Sequence, residues 1–155
     1  MALQVGDKAP NFTLTSDSKS PISLKDFQGK NTVVLFFPLA FTGVCTTELC
    51  TIRDDISAYQ NLDAEVLAIS VDSPFVLEEF KKQQNLNFPL LSDFNATTSA
   101  EYGALYDDFV LGMKKVSKRS AFVMDKEGTI RYAEVLDSAG DLPNFGAIKE
   151  ILSGL

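Results

Sequence analysis

Two runs of consecutive apolar residues, with an amphipathic stretch between them, dominate the first half of the chain. The runs cover residues 32–37, closed by Pro38, and residues 65–71. Continuous apolar runs of this length suit strands that are buried on both faces of a parallel sheet. Between them, residues 46–60 repeat apolar side chains at helical spacing, with charged residues on the other faces. The pattern therefore predicts a βαβ unit, whose crossover should be right-handed.

The middle of the chain predicts one clear helix and several shorter pieces. Ser73 followed by Pro74 is typical of an N-cap and a first helical position, and opens a helix that reaches about residue 84. Residues 87–93 are then predicted to be a short extended segment. We expect a short helix within residues 99–106 and a polar loop over residues 110–118.

The last third of the chain predicts a hairpin and a closing helix. Two short β-type segments, residues 121–124 and 130–135, are separated by a turn sequence at 125–128, which favours an antiparallel hairpin. Residues 143–152 predict a final helix with one apolar stripe. The order βαβ, helix, ββα is the thioredoxin-like α/β arrangement. It predicts a central mixed sheet flanked by helices, with an N-terminal extension and a central insertion.

Composition narrows the class of protein. The 155 residues are 45% hydrophobic, and no repeat, low-complexity tract or composition shift marks a linker, so we expect residues 1–155 to form a single domain. The net charge of −7 argues against nucleic acid or an anionic membrane as a partner. The longest apolar run, residues 33–40, is far shorter than the roughly 20 residues that span a bilayer. The N-terminus lacks the pattern of a signal peptide, so we expect a cytoplasmic protein.

The chain has no histidine and only two cysteines, Cys45 and Cys50. The absence of histidine excludes Ser-His-Asp and Cys-His nucleophile pairs and histidine-ligated zinc. Two thiols alone make a poor metal site, so we expect no metal. In a reducing compartment, such cysteines are typically free or redox-active.

Cys45 stands where open α/β sheets bind their ligands, after the end of a central strand and at the beginning of a helix. The free N–H groups and the positive end of that helix favour a thiolate. The sequence therefore predicts a reactive sulfur anion that a small substrate can reach.

Three arginines could supply a cation to this sulfur, and the topology selects one of them. Arg119 immediately precedes the third core strand, which runs antiparallel to the first two and so begins at the edge where they end. Arg53 lies more than two helical turns beyond Cys45, and Arg131 falls inside a strand. We therefore expect the Arg119 guanidinium beside the Cys45 sulfur, where it can bind a thiolate and an oxygen substrate together.

Two residues of the loop before Cys45 complete the predicted site. The Thr42 hydroxyl can accept a proton from an incoming O–H group and donate to the thiolate. Pro38 ends the strand and can shield the thiolate from water. A thiolate, a hydroxyl and a guanidinium in one small pocket suit attack on an O–O bond, which breaks and leaves a sulfenic acid.

At these positions the chain resembles the peroxiredoxin family, whose Pro-x-x-x-Thr-x-x-Cys motif is filled by Pro38, Thr42 and Cys45. Glu48 fits the family's Cys-x-x-Glu, in which the glutamate helps orient the active-site arginine, and Arg119 stands at the family's arginine before a Phe-Val strand. The likeness covers nearly the whole chain. It implies a cysteine-based peroxidase that reduces hydrogen peroxide and organic hydroperoxides with no metal or bound organic cofactor. Family members occur as monomers and as homodimers.

The second cysteine has two possible roles. In an ideal helix, residues five apart have Cα atoms about 8.6 Å apart, beyond the roughly 7 Å that a disulfide can bridge. If Cys50 resolves the Cys45 sulfenic acid, the first turns of the helix must therefore unwind. The β-branched Thr46 and Thr47 make that opening easier. Otherwise Cys50 is an idle, partly buried apolar residue.

The resemblance points to two subgroups of the family. The spacing Cys-x-x-x-x-Cys is similar to the bacterioferritin-comigratory or Q-type subgroup, whose intramolecular disulfide is reduced by thioredoxin or glutaredoxin. The segments PLAFTGVC, FPLLSDF and RYAEV are closer to the one-cysteine AhpE-type subgroup.

Other functions fit the sequence less well. A thiol-disulfide oxidoreductase would use Cys-x-x-Cys, and a cysteine phosphatase would have arginine where Thr51 stands, six residues after Cys45. A non-catalytic redox sensor with the same fold is the alternative from another class.

Overall fold

The structure, a computed structural model, describes residues 3–155. These residues form nine strands and five α-helices, with two short 3₁₀ turns at Leu24–Phe27 and Val110–Gly112. The strands are β1 (Thr13–Ser16), β2 (Pro21–Ser23), β3 (Asn31–Phe36), β4 (Ala64–Ser70), β5 (Leu90–Ser92), β6 (Leu105–Asp108), β7 (Lys114–Ser117), β8 (Ser120–Met124) and β9 (Ile130–Val135). The helices are α1 (Gly43–Asp54), α2 (Ile56–Asn61), α3 (Pro74–Gln84), α4 (Thr97–Glu101) and α5 (Phe145–Ser153).

Seven strands form one mixed sheet in the order β2-β1-β5-β4-β3-β8-β9. Strands β3 and β4 pair in parallel, as do β4 and β5, whereas β8 runs antiparallel to β3 and β9 antiparallel to β8. The predicted βαβ and ββα units are therefore confirmed, and the fold is thioredoxin-like. None of the helices formed by residues 3–155 has the length and apolar content needed to cross a membrane.

The sheet separates two apolar clusters, and β3 contributes to both because successive side chains of a strand point to opposite faces. Val33 and Leu35 pack in the cluster that also receives residues of α1, α2, α3 and α5. Val34 and Phe36 pack in the other cluster, which contains aromatic residues of the N-terminal segment and of β8. Burial on both faces explains why β3 is apolar from Val33 to Phe36.

The single helix expected over residues 46–60 is two helices. Helix α1 already begins at Gly43, because Thr42 has the extended backbone of an N-cap. Asp55, with φ −113° and ψ 14°, separates α1 from α2. Aspartate favours helix ends over helix interiors, and the Asp55 carboxylate binds Lys149 of α5 at 2.6 Å. This tertiary contact and the low propensity together end the helix.

The predictions for residues 99–118 were wrong in part. The helix there is α4, which begins earlier, because buried Asp93 accepts hydrogen bonds from the backbone N–H groups of Thr98 and Ser99. Residues 110–118, expected to be a polar loop, instead contain a 3₁₀ turn and strand β7, which pairs with β6 in a separate two-stranded sheet. Both strands are only four residues long, too short for a clear alternating pattern.

Candidate active site

Cys45 lies in the first turn of α1, directly after the loop that follows β3. Pro38, in that loop, is buried, and Thr42 is the N-cap of the helix. The first turn of a helix presents free N–H groups and a partial positive charge. The fold therefore puts the thiol where an anion is stabilised.

Arg119 lies beside Cys45, 74 positions away in sequence. The next residue, Ser120, pairs with Phe36 at the end of β3, and this register brings Arg119 to the edge of the sheet where α1 begins. Its Nη2 donates to Cys45 Sγ at 3.2 Å, and the side chain is almost fully buried. The N–H groups of a buried guanidinium need hydrogen-bond acceptors, and the Cys45 sulfur is one acceptor for Arg119.

Glu48 is the second acidic group on the same guanidinium. It lies three residues after Cys45, which puts both side chains on one face of α1. Its Oε1 accepts from Arg119 Nη1 at 2.6 Å, and the glutamate has no exposed surface. Taken alone, Glu48 would be read as a solvated carboxylate of the first turns; in the structure it is a buried partner of the arginine.

A backbone carbonyl that sequence reasoning missed holds the other side of Arg119. The Ala139 carbonyl oxygen accepts from Arg119 Nε at 3.2 Å and from Nη2 at 3.0 Å. Leu136, just after β9, also donates its N–H to the Arg119 carbonyl at 2.9 Å. Every residue has a carbonyl, so no side-chain pattern marks Ala139, and only the return path of the chain brings it here.

One guanidinium therefore serves two acids in a buried site. Burial raises the pKa of Glu48 to about 7, although Arg119 opposes the shift. Burial lowers the pKa of Arg119, but Glu48 and Cys45 outweigh this and raise it overall. Glu48 Oε2 has no hydrogen-bond partner within the described structure, so nothing there specifically favours the ionised carboxylate. Glu48 can therefore hold a proton near neutral pH.

This buried glutamate predicts a pH dependence of stability. The pKa of Glu48 is about 7 in the fold and near 4.5 in the unfolded chain, so the fold binds the proton more tightly. Its contribution to the free energy of unfolding is complete below about pH 4.5 and is lost as the pH rises towards 7. The full loss is about 3 kcal/mol. Glu48→Gln should remove this slope in urea unfolding at several pH values.

The exposed Glu150→Gln variant is the matched control for the loss of one carboxylate. It should keep the slope of the parent protein over the same pH range. An unchanged slope in Glu48→Gln would show that Glu48 titrates in the fold as it does in the unfolded chain.

Thr42 differs in one respect from the expectation. Its hydroxyl donates to the Leu39 carbonyl at 2.8 Å, so in this conformation its proton is not directed at the thiolate. The lone pairs of the Thr42 hydroxyl oxygen remain available to accept a hydrogen bond. The Thr42 side chain is exposed, at the N-terminal end of α1.

The sulfur itself is less accessible than the sequence predicts. Cys45 is 0% exposed, because it belongs to the apolar cluster that includes Phe37 and Leu49. The residues that precede it at the helix start, Thr42 and Gly43, are exposed. In this conformation a peroxide cannot contact the sulfur, so the reaction requires the residues around Cys45 to move.

Cys50 points to a different neighbour from Cys45. It is partly buried, and its thiol donates to Gln84 Oε1, at the end of α3, at 3.5 Å. Both cysteines are free. A Cys45–Cys50 disulfide therefore requires α1 to open, as the spacing predicts.

The geometry agrees with comparisons to known proteins. The AhpC/TSA family profile matches residues 5–133. The chain is 39% identical over 136 residues to alkyl hydroperoxide reductase E of Mycobacterium tuberculosis, covering 86% of each chain. It is 40% identical over 131 residues to peroxiredoxin bcp of Coxiella burnetii, covering 84% of this chain and 87% of the other.

Solved structures show the same similarity. Peroxidoxin BcpB from Mycobacterium tuberculosis superposes with a TM-score of 0.87 at 25% identity, covering 99% of this chain and 98% of that one. The mitochondrial 2-Cys peroxiredoxin from Plasmodium falciparum superposes with a TM-score of 0.81 at 31% identity, covering 97% and 93%. With a family match over most of its length and relatives near 40% identity, the chain belongs to the AhpC/TSA family of peroxiredoxins, the thiol-dependent peroxidases.

Proposed function

We propose that the protein reduces hydrogen peroxide and organic hydroperoxides at Cys45. The observation that carries the proposal is the 3.2 Å contact between Arg119 Nη2 and Cys45 Sγ at the start of a helix. The thiolate attacks one peroxide oxygen, the O–O bond breaks, and the sulfur becomes a sulfenic acid. The other oxygen leaves as hydroxide or alkoxide and takes up a proton from solvent, which gives water or the alcohol. Organic peroxides are included because one relative is named alkyl hydroperoxide reductase E.

The neighbouring side chains each contribute to this step. Arg119 stabilises the thiolate and the negative charge that develops on the departing oxygen. Thr42 accepts the hydrogen bond of the peroxide O–H, since its own proton is engaged by Leu39. Pro38 helps to exclude water, and Glu48 keeps the guanidinium in place through the 2.6 Å contact.

We further propose that Cys50 resolves the sulfenic acid. The Cys50 sulfur attacks the Cys45 sulfur, a disulfide forms, and the sulfenic oxygen leaves as water. Thioredoxin or glutaredoxin then supplies two electrons and two protons, which restore both thiols. These reductants belong to the cytoplasm, which we propose as the compartment.

The contacts of α1 decide what an opening towards Cys50 must break. Arg53 Nη1 donates to the Gln84 carbonyl at 2.6 Å, and Asn87 Nδ2 donates to the Arg53 carbonyl at 3.2 Å, which fixes the end of the helix to the segment that ends α3. The hydroxyls of Thr46, Thr47 and Thr51 each donate to the carbonyl four residues earlier, a pattern that weakens and bends helices. Unwinding up to Cys50 can therefore leave the last turn in place, but it disturbs the contact between Glu48 and Arg119.

The Cys50→Ser variant tests the resolving role. We expect the first oxidation of Cys45 to keep its rate, within about a factor of three, since Cys50 contacts neither Arg119 nor the sulfur. Turnover with thioredoxin should fall to the background rate. Mass spectrometry after one equivalent of peroxide should detect a Cys45–Cys50 disulfide in the parent protein and a Cys45 sulfenic acid in the variant.

Two results would contradict the resolving role. Equal steady-state turnover of Cys50→Ser and the parent protein would make Cys50 an idle residue in a one-cysteine peroxidase. A parent protein that is oxidised once, and shows no turnover with any reductant supplied, would instead be a redox sensor.

A further inference from the structure

We infer that Asp72, just beyond the end of β4, is a positioning residue for the peroxide reaction. It acts on the active-site loop, defined here as residues 38–42, which joins β3 to the start of α1. The inference rests on the proposed reaction at Cys45 and extends it to a residue that follows a neighbouring strand. No hydrogen bond or salt bridge joins Asp72 to Arg119 or Cys45 in the described structure, whereas one hydrogen bond joins it to the loop.

The carboxylate of Asp72 binds the backbone of the loop directly. Its Oδ2 accepts from the Ala40 N–H at 2.7 Å, across 32 positions of sequence. Ala40 is itself buried, so its N–H needs a protein partner. A hydrogen bond from a buried N–H to an ionised carboxylate is short and strong compared with neutral ones.

Asp72 is in turn held in one position by the sheet. The Ser70 hydroxyl donates to the same Oδ2 at 2.7 Å, and the Asp72 N–H donates to the Ser70 oxygen at 3.2 Å. From the neighbouring strand, the Ser92 hydroxyl donates to the Asp72 carbonyl at 2.6 Å. The carboxylate is therefore held in place at the edge of the sheet, and its hydrogen bond to Ala40 fixes the position of the loop.

The loop needs such a fixed point because part of it is strained. Phe41, the residue after Ala40, has φ +66°, a left-handed conformation that is unfavourable for a bulky side chain. Residues keep such conformations only where their surroundings impose them. Here the Ala40–Asp72 bond holds one side, and the contact between the Phe41 and Phe80 rings, with centroids 5.0 Å apart, holds the other.

The strained residue sets the position of Thr42. Thr42 follows Phe41 directly, caps α1 and carries the hydroxyl proposed to bind the peroxide. Relaxation of Phe41 would displace this hydroxyl, whereas the contacts of Arg119 with Cys45 and Glu48 involve none of residues 38–42 and would stay in place. Asp72 should therefore affect the rate of the reaction with peroxide and leave the thiolate itself unchanged.

The test compares Asp72→Ala and Asp72→Asn in the otherwise intact protein. We expect the second-order rate constant of Cys45 oxidation by hydrogen peroxide in Asp72→Ala to fall roughly 10- to 100-fold, the usual effect of a displaced catalytic group. Asp72→Asn should recover to within about threefold of the parent, because its amide oxygen can accept the same hydrogen bonds without the charge. The thiolate absorbance of Cys45 at neutral pH, measured in the Cys50→Ser background, should be the same in all variants.

Ser70→Ala provides a milder variant should Asp72→Ala fail to fold, and should slow oxidation in the same direction by a smaller factor. Glu127→Ala, exposed in the turn at the opposite end of β8 from Arg119, is the control for loss of one charge. Oxidation as fast as the parent in Asp72→Ala and Ser70→Ala, or a parallel loss of thiolate, would overturn the role of Asp72. A parent protein that itself fails to react with peroxide would overturn the proposed function instead.

Discussion

Cys45→Ser is expected to lower peroxide consumption to the rate of buffer alone. Serine has the same shape, but its hydroxyl is not ionised at neutral pH and cannot attack the O–O bond. The expected loss is at least on the order of a thousandfold, because no other described group near Arg119 can be oxidised by peroxide. The measurement is hydrogen peroxide disappearance with thioredoxin and its reductase in excess.

The Cys50→Ser variant serves as the matched control in a single turnover with one equivalent of peroxide and no reductant, since it removes the other thiol and keeps the first oxidation. Folding of Cys45→Ser should be checked by thermal unfolding, because the cysteine is part of the core. A first oxidation that survives in Cys45→Ser and disappears in Cys50→Ser would show that peroxide attacks Cys50 and not Cys45.

Arg119→Ala is expected to slow the oxidation of Cys45 by roughly a hundred- to a thousandfold, the usual effect of removing one preorganised donor from an active site. The variant also lowers the fraction of thiolate at neutral pH, because the cation 3.2 Å from the sulfur is gone. The measurements are stopped-flow oxidation with one equivalent of hydrogen peroxide and the ultraviolet absorbance of the thiolate.

This variant leaves Glu48 buried without a partner, which is itself strongly destabilising. The double variant Arg119→Ala/Glu48→Gln avoids the unpaired charge and should fold better while remaining slow. Arg131→Ala, which removes a largely exposed arginine, controls for the change in net charge. An unchanged rate and an unchanged thiolate fraction in the double variant would show that the guanidinium has no part in the reaction.

The parts of the site that sequence could predict are those fixed by topology. A residue before an antiparallel third strand must lie at the edge where the first strand ends, which was enough to select Arg119 from three arginines. In the same way, helical spacing places Glu48 and Cys45 on the same face of α1. Both follow from element order and periodicity, and neither depends on the details of a loop.

The parts that sequence could not predict depend on loops and on single tertiary contacts. The carbonyl of Ala139 and the anchor at Asp72 involve backbone groups, which carry no residue signature. The break at Asp55 depends on a lysine of the last helix. The closed state of Cys45 depends on how tightly the apolar cluster packs around it, which composition and spacing do not specify.

The central claim is that peroxide oxidises Cys45 with the help of the guanidinium beside it. The most direct measurement is stopped-flow oxidation of the reduced Cys50→Ser variant, where only one cysteine remains, by one equivalent of hydrogen peroxide. The account predicts a Cys45 sulfenic acid, formed at a rate that the additional substitution Arg119→Ala lowers by roughly a hundred- to a thousandfold. No oxidation of Cys45, or a rate that Arg119→Ala leaves unchanged, would contradict the claim.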